Sequence, residues 1–280
     1  MPSTGTTPLM NMIVSRRLLA DSIGRFEIYA PLIARKRQPG NFVMVRANER
    51  SERIPLTIVD SDETRGTITL IVQAVGKSTK HLLTLYAEDT ILDIVGPLGN
   101  PTPLTEGKSV ICVGGGVGTA ELYPISTGLK QKGNTLRTII GGRTRELVIL
   151  EEEMKSCSDA VYVTTDDGSY GRRGTVVDQL KDLMAAGPAI DAVYAIGPLP
   201  MMKAVANATR ETRLKTCVSM NALMVDGTGM CGGCRVSVDG AMKFACVDGP
   251  EFDGHQVDFD ELIMRNRTYA DLEKIADCRL

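Results

Sequence analysis

Read as alternating apolar and polar positions, the first hundred residues break into short runs with turn signals close between them: NFVMVRA, PLTIVD, TITLIVQAV after the polar turn SDETRG, and ILDIVGPLG. Repeated strand-like runs separated by Gly, Asp and Asn predict a small β-barrel or sandwich. One segment, KSTKHLLTLYAED, spaces its apolar residues as a helix does and predicts a single short helix. From about residue 104 the rhythm lengthens. SVICVGG, TLRTIIGG, AVYVTTDD and AVYAIGP alternate with helix-length stretches such as TAELYPISTGLKQKG and GTVVDQLKDLMAAG, which is the pattern of a parallel α/β sheet. After residue 220 the density of Gly and Cys rises, CRVSVDGAMKFAC reads as a hairpin turning at Asp239 and Gly240, and DFDELIMRNRTYADLEKIAD returns to a helical period. This last stretch is too short for a core of its own, and a metal staple would hold it together. The expected division is therefore 1–103, 104–222 and 223–280.

Composition narrows the class. Of 280 residues, 43% are apolar and 24% charged, and no run approaches the roughly 18 consecutive apolar residues of a membrane span. A net charge of −2 with both signs interspersed argues against a nucleic-acid binder, which needs clustered Lys and Arg to neutralise phosphates. MPSTGTTPLMNMIV has no charged n-region and no apolar h-region, so a cytoplasmic protein is expected. The seven cysteines are an odd number, and Cys231, Cys234 and Cys246 crowd one glycine-rich segment, which in a reducing compartment points to metal or redox chemistry before disulfides. Cys112 and Cys157 read as small structural thiols.

The densest chemistry is in DGTGMCGGC. Asp226-x4-Cys231-x2-Cys234-x11-Cys246 places a carboxylate where a plant-type iron–sulfur spacing puts its first thiolate. Gly227, Gly229, Gly232 and Gly233 allow backbone N–H groups to turn toward a negative cluster. On residues alone a 2Fe-2S cluster, a structural zinc site and three unligated thiols all stay open; zinc more often takes two short-spaced pairs. A redox dithiol is disfavoured because CGGC leads into the strand-like RVSV. Asp226 is either a ligand or a turn cap, in which case Cys217 or Cys278 supplies the fourth donor.

VGGGVGTAE follows the apolar strand SVIC and opens a helix, so Gly114, Gly115, Gly116, Val117 and Gly118 offer bare backbone to a dinucleotide pyrophosphate, with Thr119 in the third glycine position. Arg143 in Gly141-Gly142-Arg143, Asp166 and Asp167 in TDDGS, and Gly197 in Gly197-Pro198 stand at the carboxyl ends of other strands, where ligands collect in open parallel sheets. In the barrel half, Arg53 with Pro55, Leu56 and Thr57, and Gly76-Lys77-Ser78-Thr79 at a helix start, read either as diphosphate grips or as a surface arginine and a capped helix. His81 and His255 lie far apart, and no hydrolytic triad is present.

In this combination the chain resembles the ferredoxin–NADP reductase superfamily. Within it, MVDGTGMCGGCRVSVDGAMKFACVDGPEFDGHQVDFDEL resembles the group that holds dihydroorotate dehydrogenase electron-transfer subunits, sulfide dehydrogenase beta subunits and the small alpha subunits of NADH-dependent reduced ferredoxin:NADP+ oxidoreductases. The aspartate in place of the first cysteine is similar to the last of these. The resemblance implies a β-barrel FAD domain over 1–103, an α/β parallel-sheet nucleotide-binding domain over 104–222, and a small C-terminal 2Fe-2S module over 223–280. RIPLT is similar to the Arg-Pro-x-Ser/Thr segment that holds FAD, with Ile54 inserted; Ile71, Val72 and Gln73 match the flavin-flanking strand, and Gly76 to Thr79 the pyrophosphate turn. Gly114 to Gly118 match the nicotinamide nucleotide turn, and Asp226, Cys231, Cys234 and Cys246 the cluster ligands.

The same resemblance implies FAD, a 2Fe-2S cluster and NAD(H) as cofactors, with no side-chain acid or base required. A larger flavin and iron–sulfur subunit, glutamate synthase-like, is the implied partner, and ferredoxin is reached through that complex by electron bifurcation. The alternative is an electron-transfer subunit of a dihydroorotate or sulfide dehydrogenase without bifurcation.

Overall fold

The structure, a computed structural model, describes residues 8–186 and 189–277. Its first half holds strands β1 (Ile13–Ala20), β2 (Ile23–Tyr29), β3 (Phe42–Arg46), β4 (Ile54–Thr57), β5 (Asp60–Asp62), β6 (Thr67–Gln73) and β7 (Asp93–Leu98), with short helices α1 (Pro31–Ala34) and α2 (Lys77–Leu82). They pair as two antiparallel sheets, ordered β1-β2-β6-β5 and β4-β3-β7. Period-two burial drives this: Ile28, Val43, Val45, Ile58, Ile68 and Leu70 face one closed core. Helix α2 stops at Leu82, shorter than the helical period of KSTKHLLTLYAED, and the chain goes on in single turns, Thr84 N–H to His81 O and Leu85 N–H to Leu82 O.

The second half alternates β8 (Ser109–Gly115), α3 (Gly118–Gln131), β9 (Thr135–Gly142), α4 (Glu151–Cys157), β10 (Ala160–Thr165), β11 (Arg172–Arg173), α5 (Val176–Ala186), β12 (Ala192–Ile196), α6 (Leu199–Arg210) and β13 (Lys215–Ser219). The tail adds β14 (Arg235–Val238), β15 (Ala241–Phe244), β16 (Glu251–Asp253), α7 (Phe259–Asn266) and α8 (Ala270–Asp277). A seven-stranded sheet runs β11-β10-β9-β8-β12-β13-β16, parallel except for β16, which pairs antiparallel to β13.

The tail thus completes the sheet. Its Cys234, Val236, Cys246, Phe259 and Leu262 share one core with Val193, Ala195, Met202 and Val218, and with Phe42 and Met44 from the barrel. The hairpin β14-β15 turns at Asp239 (φ 51°) and Gly240 (φ 70°), the doubly left-handed pair that a two-residue hairpin demands. The helical period after residue 258 is split into α7 and α8.

The two halves meet over an apolar seam, Ile23, Val59 and Ile71 against Ala120, Ile149 and Leu150. Main-chain and side-chain bonds also tie the tail to the barrel: Asn100 N–H donates to Gly249 O at 2.7 Å and Asn100 Nδ2 to Val247 O at 3.0 Å. Among the described residues no helix is long and apolar enough to cross a membrane.

Candidate functional site

At the carboxyl edge of the parallel strands lies a cleft of about 790 Å³, within the usual range for small-ligand sites. Gly115, Gly116, Val117 and Gly118 form its floor, Arg143 and Asp166 stand at the ends of β9 and β10, and Gly197 follows β12. The glycines are there because nothing larger fits. A Cβ on Gly118 would lie 2.6 Å from Ile196 O, and one on Gly115 2.3 Å from Met201 Sδ. Gly116 has φ +57° with open space beyond it, so its backbone is bare to the cleft. Gly114 and Thr119 lie behind the floor: a Cβ on Gly114 would meet Thr119 Oγ1 at 2.9 Å, which makes them a helix–strand contact and not cleft lining. Asp167 also turns away, accepting from Ser169 N–H at 2.9 Å and Ser169 Oγ at 2.7 Å.

A second cavity of about 240 Å³ adjoins the barrel, lined by Pro55, Leu56 and Thr57 of β4, Ile71 and Gln73 of β6, and Thr79 of α2. Thr79 Oγ1 accepts from Val75 N–H at 3.0 Å and Gly76 N–H at 3.1 Å, shaping the turn that starts the helix. Val72 points the other way into the barrel core, as alternation on a strand requires. Gly76, Lys77 and Ser78 do not line this cavity, and neither does Arg53, which pairs with Asp93 at 3.7 Å at the outer end of β4.

The cluster-spaced loop begins beside this second cavity, since Ala222 and Met224 are part of its wall. Gly227 (φ +73°) lets the loop press onto the barrel, where a Cβ would meet Met44 Cγ at 2.7 Å and Leu98 Cδ1 at 2.9 Å. Cys234 and Cys246 are buried with their Sγ atoms 3.2 Å apart, while Cys231 is exposed at the rim. Contact at 3.2 Å is far longer than the roughly 2.05 Å of a disulfide. Asp226 accepts from Thr228 N–H and Cys231 N–H, each at 2.7 Å, and the Thr228 bond leads in holding its carboxyl below the usual range. A carboxylate has about four lone-pair sites, so two remain for a further partner.

Among the described residues no three such donors converge as a ready metal cage. Three thiols and an anionic oxygen nevertheless share one loop and the hairpin end beside it, a donor set of the kind that soft iron centres take. Cys217 is on β13 with its side chain in the core of Cys112 and Tyr194, a different core from that of Cys234 and Cys246. Cys278 lies outside the described residues.

Five residues line both cavities: Gln73, Val117, Glu121, Ser219 and Asn221. Only Gln73 and Val117 carry a signal in sequence. Glu121 is an acid in the first turn of α3 that no motif marks, and Ser219 and Asn221 lie in VSMNALM, where nothing marks them either.

Residues 221–258 match the family described as the iron-sulfur cluster binding domain of dihydroorotate dehydrogenase B. A Thermotoga maritima protein named dihydroorotate dehydrogenase B (NAD(+)), electron transfer subunit homolog, is 46% identical over 267 residues, 95% of this chain and 94% of that one. The Bacillus caldolyticus dihydroorotate dehydrogenase B (NAD(+)) electron transfer subunit is 34% identical over 254 residues, 88% and 96% of the two chains. Among solved structures, a chain of the NADH-dependent reduced ferredoxin-NADP oxidoreductase, a structure described for its insights into flavin-based electron bifurcation, matches with a TM-score of 0.92. It is 45% identical, with 98% of each chain covered. A cytochrome P450 reductase from Amycolatopsis shares the fold at 19% identity and a TM-score of 0.61, over 72% of this chain and 65% of that one. The chain belongs to the family of dihydroorotate dehydrogenase B electron transfer subunits and their homologues.

Proposed function

We propose that this chain is a FAD and 2Fe-2S electron-transfer subunit that takes a hydride from NADH and hands single electrons to a partner. The observation that carries the reading is the shared wall: two cavities meet at Gln73, Val117, Glu121, Ser219 and Asn221, and the cysteine loop starts from the smaller one. In this reading residues 1–103 hold FAD, 104–222 the nicotinamide nucleotide and 223–280 the cluster.

Ile71, Leu56 and Val59 give the smaller cavity apolar walls, and Thr57, Gln73 and Thr79 give it polar edges, a lining that suits a flavin ring. Arg53, Gly76, Lys77 and Ser78, close in the chain to residues that line it, are assigned to the remainder of FAD. The bare backbone of Gly115 to Gly118 at the start of α3 is assigned to the dinucleotide pyrophosphate. Asp226, Cys231, Cys234 and Cys246 are assigned as cluster ligands. When bound, FAD supplies the exchange between a two-electron donor and the one-electron cluster. The protein orients the reactants, with the apolar seam fixing the two halves against each other.

NADH is favoured over NADPH. Arg143 is the one cation among the described residues lining the larger cleft, and Asp166 and Asp178 face the same space. Arg145 is not available there, because its guanidinium lies over the Tyr170 ring at 5.1 Å.

The bifurcation named in the solved relative's description supports a first partner reading, in which a larger flavin and iron–sulfur subunit, glutamate synthase-like, connects the chain to ferredoxin. The names of the curated relatives favour a second reading, delivery to a dihydroorotate dehydrogenase without bifurcation. A visible spectrum of anaerobically purified protein tests the core of both, with flavin and iron–sulfur absorption expected and a colourless protein refuting it. Stopped-flow reduction by NADH and NADPH tests the donor, and the copurifying partner separates the two readings.

A further inference from the structure

One acid sits where the cavities meet, and a second stands behind it. Glu121, in the first turn of α3, is part of the wall of both. Glu251 on β16 stands opposite Ser219 on β13 in the strand register, and Ser219 again lines both cavities. Residues directly opposite on neighbouring strands present side chains to the same face, so Ser219 neighbours Glu251 while lining the same two cavities as Glu121. On the barrel side, a Cβ added to Gly40 would meet Glu251 Oε2 at 3.1 Å and Thr102 Oγ1 at 2.2 Å, which places the buried Thr102 hydroxyl beside the Glu251 carboxyl. Neither acid has an ion-pair partner among the described residues.

We propose that Glu121, backed by Ser219 and Glu251, accepts the proton left at this junction once the two electrons of a hydride taken from a dihydronicotinamide have passed on singly to one-electron carriers. This rests on the reading of the two cavities as flavin and nicotinamide sites. The balance is fixed by the chemistry. Breaking one C–H bond of the dihydronicotinamide to give the nicotinamide cation would move two electrons and one proton together, as a hydride, to the flavin assigned to the smaller cavity. The electrons leave singly for the cluster and then for the partner's one-electron acceptor, and neither carries the proton away. The proton forms an O–H bond on the Glu121 carboxylate, which becomes neutral. It then passes toward Glu251 across Ser219, or back to water through the cleft mouth.

The surroundings suit that task. Loss of water pushes Glu121 up to about 7 and Glu251 up to about 8, with Glu121 adding like-charge repulsion to Glu251 and the Ser219 and Thr102 hydroxyls opposing it. A carboxyl poised near neutrality can both take and give a proton. The other charged and titratable groups facing the pair are Arg143 at the end of β9, Asp166 at the end of β10, Asp178 on α5, and Cys217 beside Glu251 on β13.

The test is a redox titration of the flavin in the purified holoprotein across pH about 6 to about 9, a span that brackets both carboxyls. Wild type is expected to take up an extra fraction of a proton per electron pair near pH 7 to 8. Glu121→Gln is expected to lose that fraction, and Glu251→Gln to shift its pH window downward. Infrared difference spectra of reduced against oxidised wild type should show a protonated-carboxyl band that Glu121→Gln removes. Equal proton uptake in wild type and Glu121→Gln overturns the assignment. Absence of any carboxyl band in wild type overturns it too, without recourse to a variant. Holoprotein lacking flavin overturns the underlying reading instead.

Discussion

Gly118→Ala tests the nucleotide cleft most sharply, because the atoms that a new methyl would meet are main-chain. Its Cβ would lie 2.6 Å from Ile196 O and 2.8 Å from Gly197 Cα, neither of which can swing aside. Ordinary C···O contact is about 3.3–3.6 Å, so the start of α3 must retreat from β12 by about 0.7–1 Å. Overpacking of this kind costs about 1–3 kcal/mol, and at about 2 kcal/mol the melting temperature falls by roughly 4–8 °C. The same retreat draws backbone N–H groups away from a bound pyrophosphate. One charge-assisted hydrogen bond is worth about 1.5–3 kcal/mol, which becomes roughly a 10- to 100-fold rise in the NADH Kd. Gly133→Ala is the control: its φ is +72° with nothing within 4 Å, so it carries backbone strain of about 1–2 kcal/mol and leaves NADH affinity unchanged. Thermal unfolding and equilibrium NADH titration read out both variants. Wild-type affinity in Gly118→Ala would refute the cleft as the dinucleotide site.

Asp226→Cys should keep a 2Fe-2S cluster with altered absorption and potential, while Cys217→Ser, whose thiol is packed in another core, should change neither; cluster loss in Cys217→Ser would reverse the ligand assignment. Asp166→Ser removes one of the acids facing the cleft, so flavin reduction by NADPH should accelerate relative to NADH, and an unchanged ratio would exclude Asp166 from nucleotide choice. For the cofactor-free protein, Glu251 is raised by burial from 4.5 to about 8. Between those values the folded chain holds a proton that the unfolded chain has lost, so stability declines as pH rises through the window and levels off above about 8. Glu251→Gln should flatten that decline in a series of melting curves, and an unaltered slope would show the carboxyl to be ionised in the fold.

Much of this architecture was legible because local chemistry and global fold agree. Asp239-Gly240 has to turn left-handed twice, so it marks its hairpin unaided. Of the four strands from SVICVGG to AVYAIGP, β8, β9 and β12 are buried on both faces and announce themselves as apolar runs. β16 was not legible: EFD has three residues, no alternation, and becomes a strand only because β13 offers an edge. The split between α7 and α8 was hidden by a helical period that runs through it. At the site, Gly118 and Gly227 signal themselves by being glycine. Glu121, Ser219 and Glu251 belong to three separate elements, and only the β13–β16 register and the position of α3 bring them together. Arg53 shows the reverse, a residue prominent in its motif whose side chain is turned toward Asp93.

The pairing of β16 with β13 makes the cysteine-bearing tail unfit for use as a cassette. Cutting the chain after residue 222 would strip the last strand from the seven-stranded sheet and leave the N–H and C=O groups of β13 open along an edge, an invitation to strand-to-strand aggregation. It would also bare Phe42 and Met44 on the barrel. An engineer who wished to graft this loop onto another reductase would have to transplant its sheet edge and the barrel strand beneath it, so exchange of the acceptor module and integrity of the donor module are inseparable.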